Sequence, residues 1–163
     1  MAHPYTKLQI RLHWAIFLFI AIQYLAHEAI AEAWEQIGRG ETLAFDPLVV
    51  GHVFVGGLIL LLVILRIALR LRDGAPPLPE EEPPALKAVA HLTHMGLYVL
   101  MIAMPVSGAV AWFGGVEPAA EAHEVMRIVL LALVLLHVVG ALYQQFVLKT
   151  DILARMKRPG GPA

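Results

Sequence analysis

The sequence is far more apolar than its length allows for a water-soluble protein. Its 163 residues are 59% hydrophobic and 15% charged, whereas a soluble domain is roughly half apolar and a quarter charged. A chain of this size cannot turn so much apolar surface inward, which leaves lipid to cover the remainder. The absence of cysteine excludes disulfides, thiolate metal sites and covalently attached haem. The net charge of −1 offers no basic surface for nucleic acid.

Four apolar stretches are each long enough to cross a bilayer core, which takes about 20 helical residues. They lie near residues 9–29, 48–69, 87–112 and 123–147. They are continuous runs without period-two alternation, which favours helices over barrel strands. We therefore predict an all-α, integral membrane four-helix bundle that forms a single domain over residues 1–163.

A linker with five prolines and three consecutive glutamates, residues 73–87, separates the second and third spans and is predicted to be solvent-exposed. Ten of the twelve Lys and Arg residues adjoin the two termini or this linker, and the exceptions are Arg39 and Arg127. The positive-inside rule then places both termini and the linker in the cytoplasm.

An alternative interpretation of residues 1–33 is a cleaved signal peptide. Lys7 and Arg11 precede an apolar run, and small-residue triplets follow near 29–33. We prefer a membrane span because His13 lies where a membrane ligand would be placed. The rest of the topology is the same in either case.

Histidine is costly inside a membrane, so each intramembrane copy is a candidate functional residue. His123 and His137 are fourteen residues apart, which on a helix is about 21 Å of rise and about 40° from full turns. They therefore share a face near opposite membrane surfaces. His13 is predicted to lie level with His137, and His52 level with His123.

Two imidazoles that face one another at one depth suit the two axial positions of a haem iron. A zinc or copper site would take three or four ligands at one level, which makes a haem-free metal transporter the least favoured hypothesis. Gly51, Gly56 and Gly57 flank His52. They would either let a flat macrocycle approach the helix or serve helix packing, and both interpretations stay open.

Other residues could replace or assist these four. His27 also stands fourteen residues from His13 and is a rival ligand at the outer level, although Glu28 beside it indicates a solvated position. His91 and His94, predicted at the level of His13, could ligate, contact a propionate or line a quinone headgroup site. Arg127 could pair with a haem propionate or extend to the outer headgroups.

Short strings in the same order along nearly the whole chain match one known family. They are LQIRLHW at 8–14, His52 with Gly56, HLTH at 91–94, Tyr98, PVSG at 105–108, His123 with Glu124, His137, ALY at 141–143, FV at 146–147 and LARM at 153–156. Through these strings the chain resembles the bacterial cytochrome b561 family of four-helix, di-haem inner-membrane proteins.

The resemblance implies two b-type haems, with His13 and His137 ligating one on the cytoplasmic side and His52 and His123 ligating the other on the periplasmic side. It implies a multi-pass inner-membrane oxidoreductase that moves electrons from an outer donor, such as superoxide, to ubiquinone. Other members serve as membrane anchors that pass electrons for a partner dehydrogenase or hydrogenase. The implied partners are the lipid bilayer, a quinone and a periplasmic redox protein.

Two features depart from the family pattern. Gln144 and Gln145 stand where the family often has a His-His pair, which removes rival ligands near His137. The predicted outer surface also carries eight carboxylates against Arg39 and Arg127. Such a surface repels superoxide and suits a basic soluble partner such as a cytochrome.

Overall fold

The computed structural model describes residues 4–77, 82–157 and 159. Within these residues the chain is all-helical and contains no strand. Four helices, α1, α3, α4 and α5, are long and apolar enough to cross a membrane, which confirms the predicted fold class. The helices are α1 (Lys7–Leu25), α2 (His27–Gly38), α3 (Pro47–Asp73), α4 (Pro84–Gly114), α5 (Glu117–Phe146) and α6 (Ile152–Arg155).

Local sequence signals set the helix ends. Thr6 and Gln9 form a capping box at the start of α1, in which each side chain bonds the backbone N–H of the other residue. Asp46 caps α3 by accepting from the backbone N–H of Leu48. Gly115 ends α4 in the left-handed region at φ 65°, which glycine adopts without steric cost.

Hydrogen bonds between helices show that the bundle is antiparallel and has two distinct ends. At one end, the Arg66 guanidinium of α3 donates to the Gln9 carbonyl of α1 over 2.6 Å. At the other end, the Gln23 amide of α1 donates to the His52 carbonyl of α3 over 2.9 Å. We call the first the basic end and the second the acidic end, after their exposed charges. The described Lys and Arg residues of the basic end are Lys7, Arg11, Arg66, Arg70, Arg72, Lys87, Lys149, Arg155 and Lys157.

The first predicted span is split. The helix α1 ends at Leu25 rather than near 29, and α2 begins at His27. Acidic residues recur on α2 at 28, 32 and 35 while Trp34 contacts the interior, the pattern of an amphipathic helix at a membrane surface. The fourth span also starts earlier than predicted, at Glu117.

The linker between α3 and α4 is shorter than the predicted 73–87, because Asp73 still belongs to α3 and α4 already begins at Pro84, and one of its residues is buried. Glu82, expected in solvent, is only 6% exposed, because the amide of Gln144 on α5 bonds its carboxylate. The linker residues Leu78, Pro79, Glu80 and Glu81 lie outside the described residues, as do His3 and Arg158.

A small core of Ile16, Ile59 and Val63 joins α1 to α3, with Tyr98 and Met101 of α4 packed against it. Many other large apolar side chains point outward, such as Phe54 and Leu61 on α3. So much exposed apolar surface on membrane-length helices indicates a lipid-facing perimeter.

Candidate cofactor sites at the two ends of the bundle

The acidic end contains a cavity of about 640 Å³. Five helices, α1 to α5, contribute to its wall, and its lining is mostly apolar but includes His27, His52 and His123. Its volume lies in the range of roughly 300–1,000 Å³ that is usual for cofactor and ligand pockets. The structure therefore places His52 and His123 in one cavity large enough for a cofactor.

The imidazole of His123 is held in one orientation by α4. Its Nδ1 lies 2.9 Å from the Met104 carbonyl oxygen and 3.2 Å from the Ser107 hydroxyl. A proton on Nδ1 would be donated to that carbonyl, which leaves Nε2 free to ligate, as is usual for metal-bound histidines. The ring lies directly over Gly108, where an added Cβ would approach its Cε1 to 3.0 Å.

The imidazole of His52 lacks such a restraint. Its backbone carbonyl accepts from Gln23, but its Nδ1 is buried and has no hydrogen-bond partner among the described residues. A buried polar atom without a partner is unusual in a folded protein, and a ligand bound at the site would explain it. Beside it, Gly57 lines the cavity, and an added Cβ there would meet no described atom within 4 Å.

His27, Glu124 and Arg127 form an ionic cluster at the edge of this cavity. The Arg127 guanidinium bonds both carboxylate oxygens of Glu124, with its Nε at 3.0 and 2.9 Å. Nε2 of His27 lies 3.7 Å from the same carboxylate, and the His27 side chain is 21% exposed. Arg127 is thus already paired within the protein, while His27 remains a rival to His123 because both line the cavity.

Three histidines meet at the basic end. The ring centroids of His13 and His137 are 6.1 Å apart, and those of His94 and His137 are 5.0 Å apart. Nδ1 of His94 lies 2.6 Å from the Ala90 carbonyl. His91, by contrast, is exposed and bonds the Lys87 carbonyl over 3.0 Å. The sequence argument paired His13 with His137, and the structure adds His94 to the same cluster.

The described residues contain no group of three His, Asp or Glu side chains arranged to hold a metal ion. The structure brings together both histidine pairs that the sequence predicted, His13 with His137 by ring contact and His52 with His123 by lining one cavity. Sequence reasoning missed three polar side chains at the two ends of the bundle. At the acidic end, Gln23 bonds His52 and Tyr24 donates to the Arg127 carbonyl over 2.5 Å. At the basic end, Glu82 is buried. For Gln23 a signal was available, since a polar side chain within an apolar span is itself unusual.

The surface around the acidic-end cavity is rich in carboxylates. Arg39 bonds Glu32 and Glu41, and hydrogen bonds from Gln36 and Arg39 hold the pKa of Glu32 below its usual value. Four carboxylates line the cavity against one guanidinium, that of Arg127, among the described residues. They belong to Glu35, Glu117, Glu121 and Glu124.

A bundle of four membrane-length helices, with histidines brought together at both ends and a cofactor-sized cavity at one, has the architecture of a membrane cytochrome of the b type. The sequence model of the prokaryotic cytochrome b561 family matches residues 4–159, so the chain belongs to that family. This confirms the resemblance drawn from the motifs.

Several relatives match over nearly their full lengths. Cytochrome b562 of Cereibacter sphaeroides is 37% identical over 158 residues, covering 95% of this chain and 96% of the relative. A probable superoxide oxidase CybB of Yersinia pestis is 29% identical, covering 96% and 97%. Cytochrome b561 homolog 1 of Escherichia coli K12 is 27% identical, covering 93% and 96%. The chain is thus a multi-pass bacterial inner-membrane protein of electron transfer whose family cofactor is haem b.

Proposed function

We propose that this protein holds two haem b groups and transfers single electrons from a donor at the acidic end to a quinone at the basic end. The observation that carries the proposal is that two histidines come together at each end of one membrane-spanning bundle: the rings of His13 and His137 are in contact at the basic end, and His52 and His123 line one cavity at the acidic end. A pair at only one end would bind a single cofactor and leave most of the membrane thickness without a relay.

At the basic end, ring spacing supports His13 and His137 as the ligands. Two metal–imidazole bonds of about 2 Å, together with the distance from each nitrogen to its ring centroid, add up to roughly 6 Å between centroids. The His13–His137 separation of 6.1 Å meets this requirement, and the His94–His137 separation of 5.0 Å is too short. We therefore assign His94 a place beside the ligands, where its ring can contact a propionate or a quinone headgroup.

At the acidic end, the cavity and the state of its two histidines support His52 and His123. Nδ1 of His123 is bonded to the Met104 carbonyl, so Nε2 is the available nitrogen. His52 has an unpartnered buried nitrogen among the described residues and two cavity-lining glycines, Gly56 and Gly57, one turn away. Of the two interpretations of these glycines, room for a flat ring fits the open space beside Gly57.

When bound, haem b supplies an iron that takes up and gives back one electron, which no side chain of this protein can do. The chain supplies the rest. Met104 and Ser107 fix the plane of the His123 ring, the apolar cavity wall excludes water, and α2 covers the cavity on the acidic side. The quinone would accept electrons near His94 and His137 at the basic end.

The acidic-end donor has two candidates. Superoxide is the first, because one relative is named a probable superoxide oxidase. A cationic redox protein is the second, and it is favoured by the four carboxylates that line the cavity and by the pairing of Arg127 with Glu124. Such a partner would make this chain the membrane anchor and electron acceptor for a separate dehydrogenase, hydrogenase or soluble cytochrome.

Purified protein tests the proposal directly. We expect an absorption spectrum of low-spin b-type haem, two haems per polypeptide by pyridine haemochrome assay, and reoxidation of the reduced haems by a ubiquinone analogue. Rapid mixing with superoxide, or with a reduced cationic cytochrome, then identifies the donor. One haem per polypeptide, or reduced haem that is inert to quinone, would overturn the proposal.

A further inference from the structure

A buried carboxylate lies at the basic end, apart from the histidines. Glu82, at the end of the linker before α4, is 6% exposed, and Gln144 on α5, which bonds it, is 7% exposed. The second carboxylate oxygen of Glu82, Oε2, is buried and has no hydrogen-bond partner among the described residues. Removing a carboxylate from water is costly unless its environment compensates.

The side chain that contacts Glu82 is fixed in a particular direction. The Thr150 hydroxyl donates to Oε1 of Gln144 over 2.7 Å, which commits the amide oxygen to Thr150 and turns the NH₂ group towards Glu82. The amide of Gln144 is therefore oriented as a donor. A glutamine at position 82 could accept the same bond and tie the linker to the bundle at lower desolvation cost, so anchoring alone does not account for a carboxyl group here.

The location of this pair relative to the histidines is the second observation. Gln144 follows His137 by seven residues on α5, which is about two helical turns, or roughly 10 Å, on nearly the same face. The Glu82–Gln144 pair therefore lies closer to the basic-end surface than the histidine cluster does, between that cluster and the aqueous phase. The other buried polar side chains among the described residues, Gln9 and Thr93, also belong to this end.

We propose that Glu82 is the proton donor for quinone reduction and that Gln144 and Thr150 position it. This inference rests on the proposed function. Each quinone takes two electrons, which arrive singly from the acidic-end donor, and two protons, which form the two O–H bonds of the quinol. For each proton, the O–H bond of the Glu82 carboxyl breaks as a quinone O–H bond forms, and the carboxylate then takes a replacement proton from the aqueous phase at the basic end. The quinone headgroup then lies between the histidine cluster and the Glu82–Gln144 pair.

The test separates proton transfer from electron transfer. Wild-type protein and the Glu82→Gln variant are reduced stoichiometrically and mixed either with a short-chain ubiquinone analogue or with ferricyanide, which accepts an electron without a proton. We expect the variant to be reoxidised by quinone at least about a hundredfold more slowly, at the low end of what a positioned proton donor contributes, and by ferricyanide at the wild-type rate. The Glu82→Asp variant should recover part of the quinone rate, and Thr150→Val should slow it less than Glu82→Gln does.

Each other outcome counts against the inference in a distinguishable way. An unchanged quinone rate in Glu82→Gln overturns the role of Glu82 and leaves the proposed function intact. Equal slowing with both acceptors shows a structural role only. Wild-type haem that quinone does not oxidise overturns the proposed function itself. If Glu82→Gln does not fold, wild-type protein in liposomes with a pH dye tests the inference instead. Proton uptake from the basic-end side during quinone reduction supports the inference. Proton uptake from the acidic-end side contradicts it.

Discussion

The two halves of the bundle place the same residue type, histidine, in different surroundings. In the acidic half, His52 and His123 line an open, mostly apolar cavity, and a neighbouring helix fixes the ring of His123. In the basic half, His13, His94 and His137 pack ring against ring, near buried polar side chains such as Gln144. A site that only passes electrons needs ligands and a dry shell. Under the proposed function, the site that reduces a quinone also needs protons, and the four buried polar side chains of the described residues, Gln9, Glu82, Thr93 and Gln144, lie at that end.

The largest expected effect is the loss of the haem at one end of the bundle while the haem at the other end is retained. His123→Ala should remove the acidic-end haem and His137→Ala the basic-end haem, because each iron would lose one of two axial ligands. Haem content per polypeptide should fall from two towards one in each variant, as measured by pyridine haemochrome assay. His91→Ala, at an exposed position outside both clusters, is the matched control and should keep both haems.

Two results would revise these assignments. Full haem content in His123→Ala would promote His27, which lines the same cavity. Full haem content in His13→Ala would promote His94, whose ring contacts His137.

The comparison also predicts a difference in access from the two sides of the membrane. The positive-inside rule places the basic end in the cytoplasm, so a membrane-impermeant reductant outside right-side-out vesicles should reduce the His52/His123 haem first. The order should reverse in inverted vesicles, with the two haems resolved by their absorption bands or by use of the His123→Ala variant. Equal access from both sides would contradict this topology.

A smaller perturbation should affect the acidic half alone. In Gly108→Ala, the new Cβ would lie 3.0 Å from Cε1 and 3.1 Å from Nδ1 of His123, so the ring must shift from its place beside Met104. Overpacking of this kind typically costs about 1–3 kcal/mol, and we expect weaker haem retention and a shifted spectrum at the acidic end with the basic-end haem unchanged. Gly51→Ala is the control, because a Cβ at that position meets no described atom within 4 Å. An equal loss of haem from Gly51→Ala would show that the glycine-to-alanine change in a helix, rather than the contact with His123, is responsible.

The sequence predicted the fold, and it predicted that His13 lies level with His137 and His52 with His123, because both depend on simple periodicities; that these four residues are ligands stays a prediction. Continuous apolar runs set the spans, and a spacing of fourteen residues sets a shared face. The split at Ala26 was missed because no glycine or proline marks it, although the acidic residues of α2 recur at helical spacing. The proximity of His94 to His137 and the burial of Glu82 depend on how distant segments pack, since Glu82 contacts a residue 62 positions away. No local pattern carries that information.

The smallest expected effect concerns the charge around the acidic-end cavity. Arg39 already bonds Glu32 and Glu41, so the carboxylates that line the cavity at Glu117 and Glu121 are better targets for substitution.

Changing Glu117 and Glu121 to glutamine should slow electron transfer from a cationic cytochrome by a few-fold and speed the reaction with superoxide by a similar factor, because the field acts on the two donors with opposite sign. Both changes should shrink as salt rises, since the Debye length is about 10 Å at 0.1 M. Glu32→Gln, which removes a carboxylate that pairs with Arg39 and does not line the cavity, is the control. Stopped-flow rates that stay unchanged with both donors would show that these carboxylates steer neither of them, and selection of the donor would then lie inside the cavity, at the Glu124–Arg127 pair.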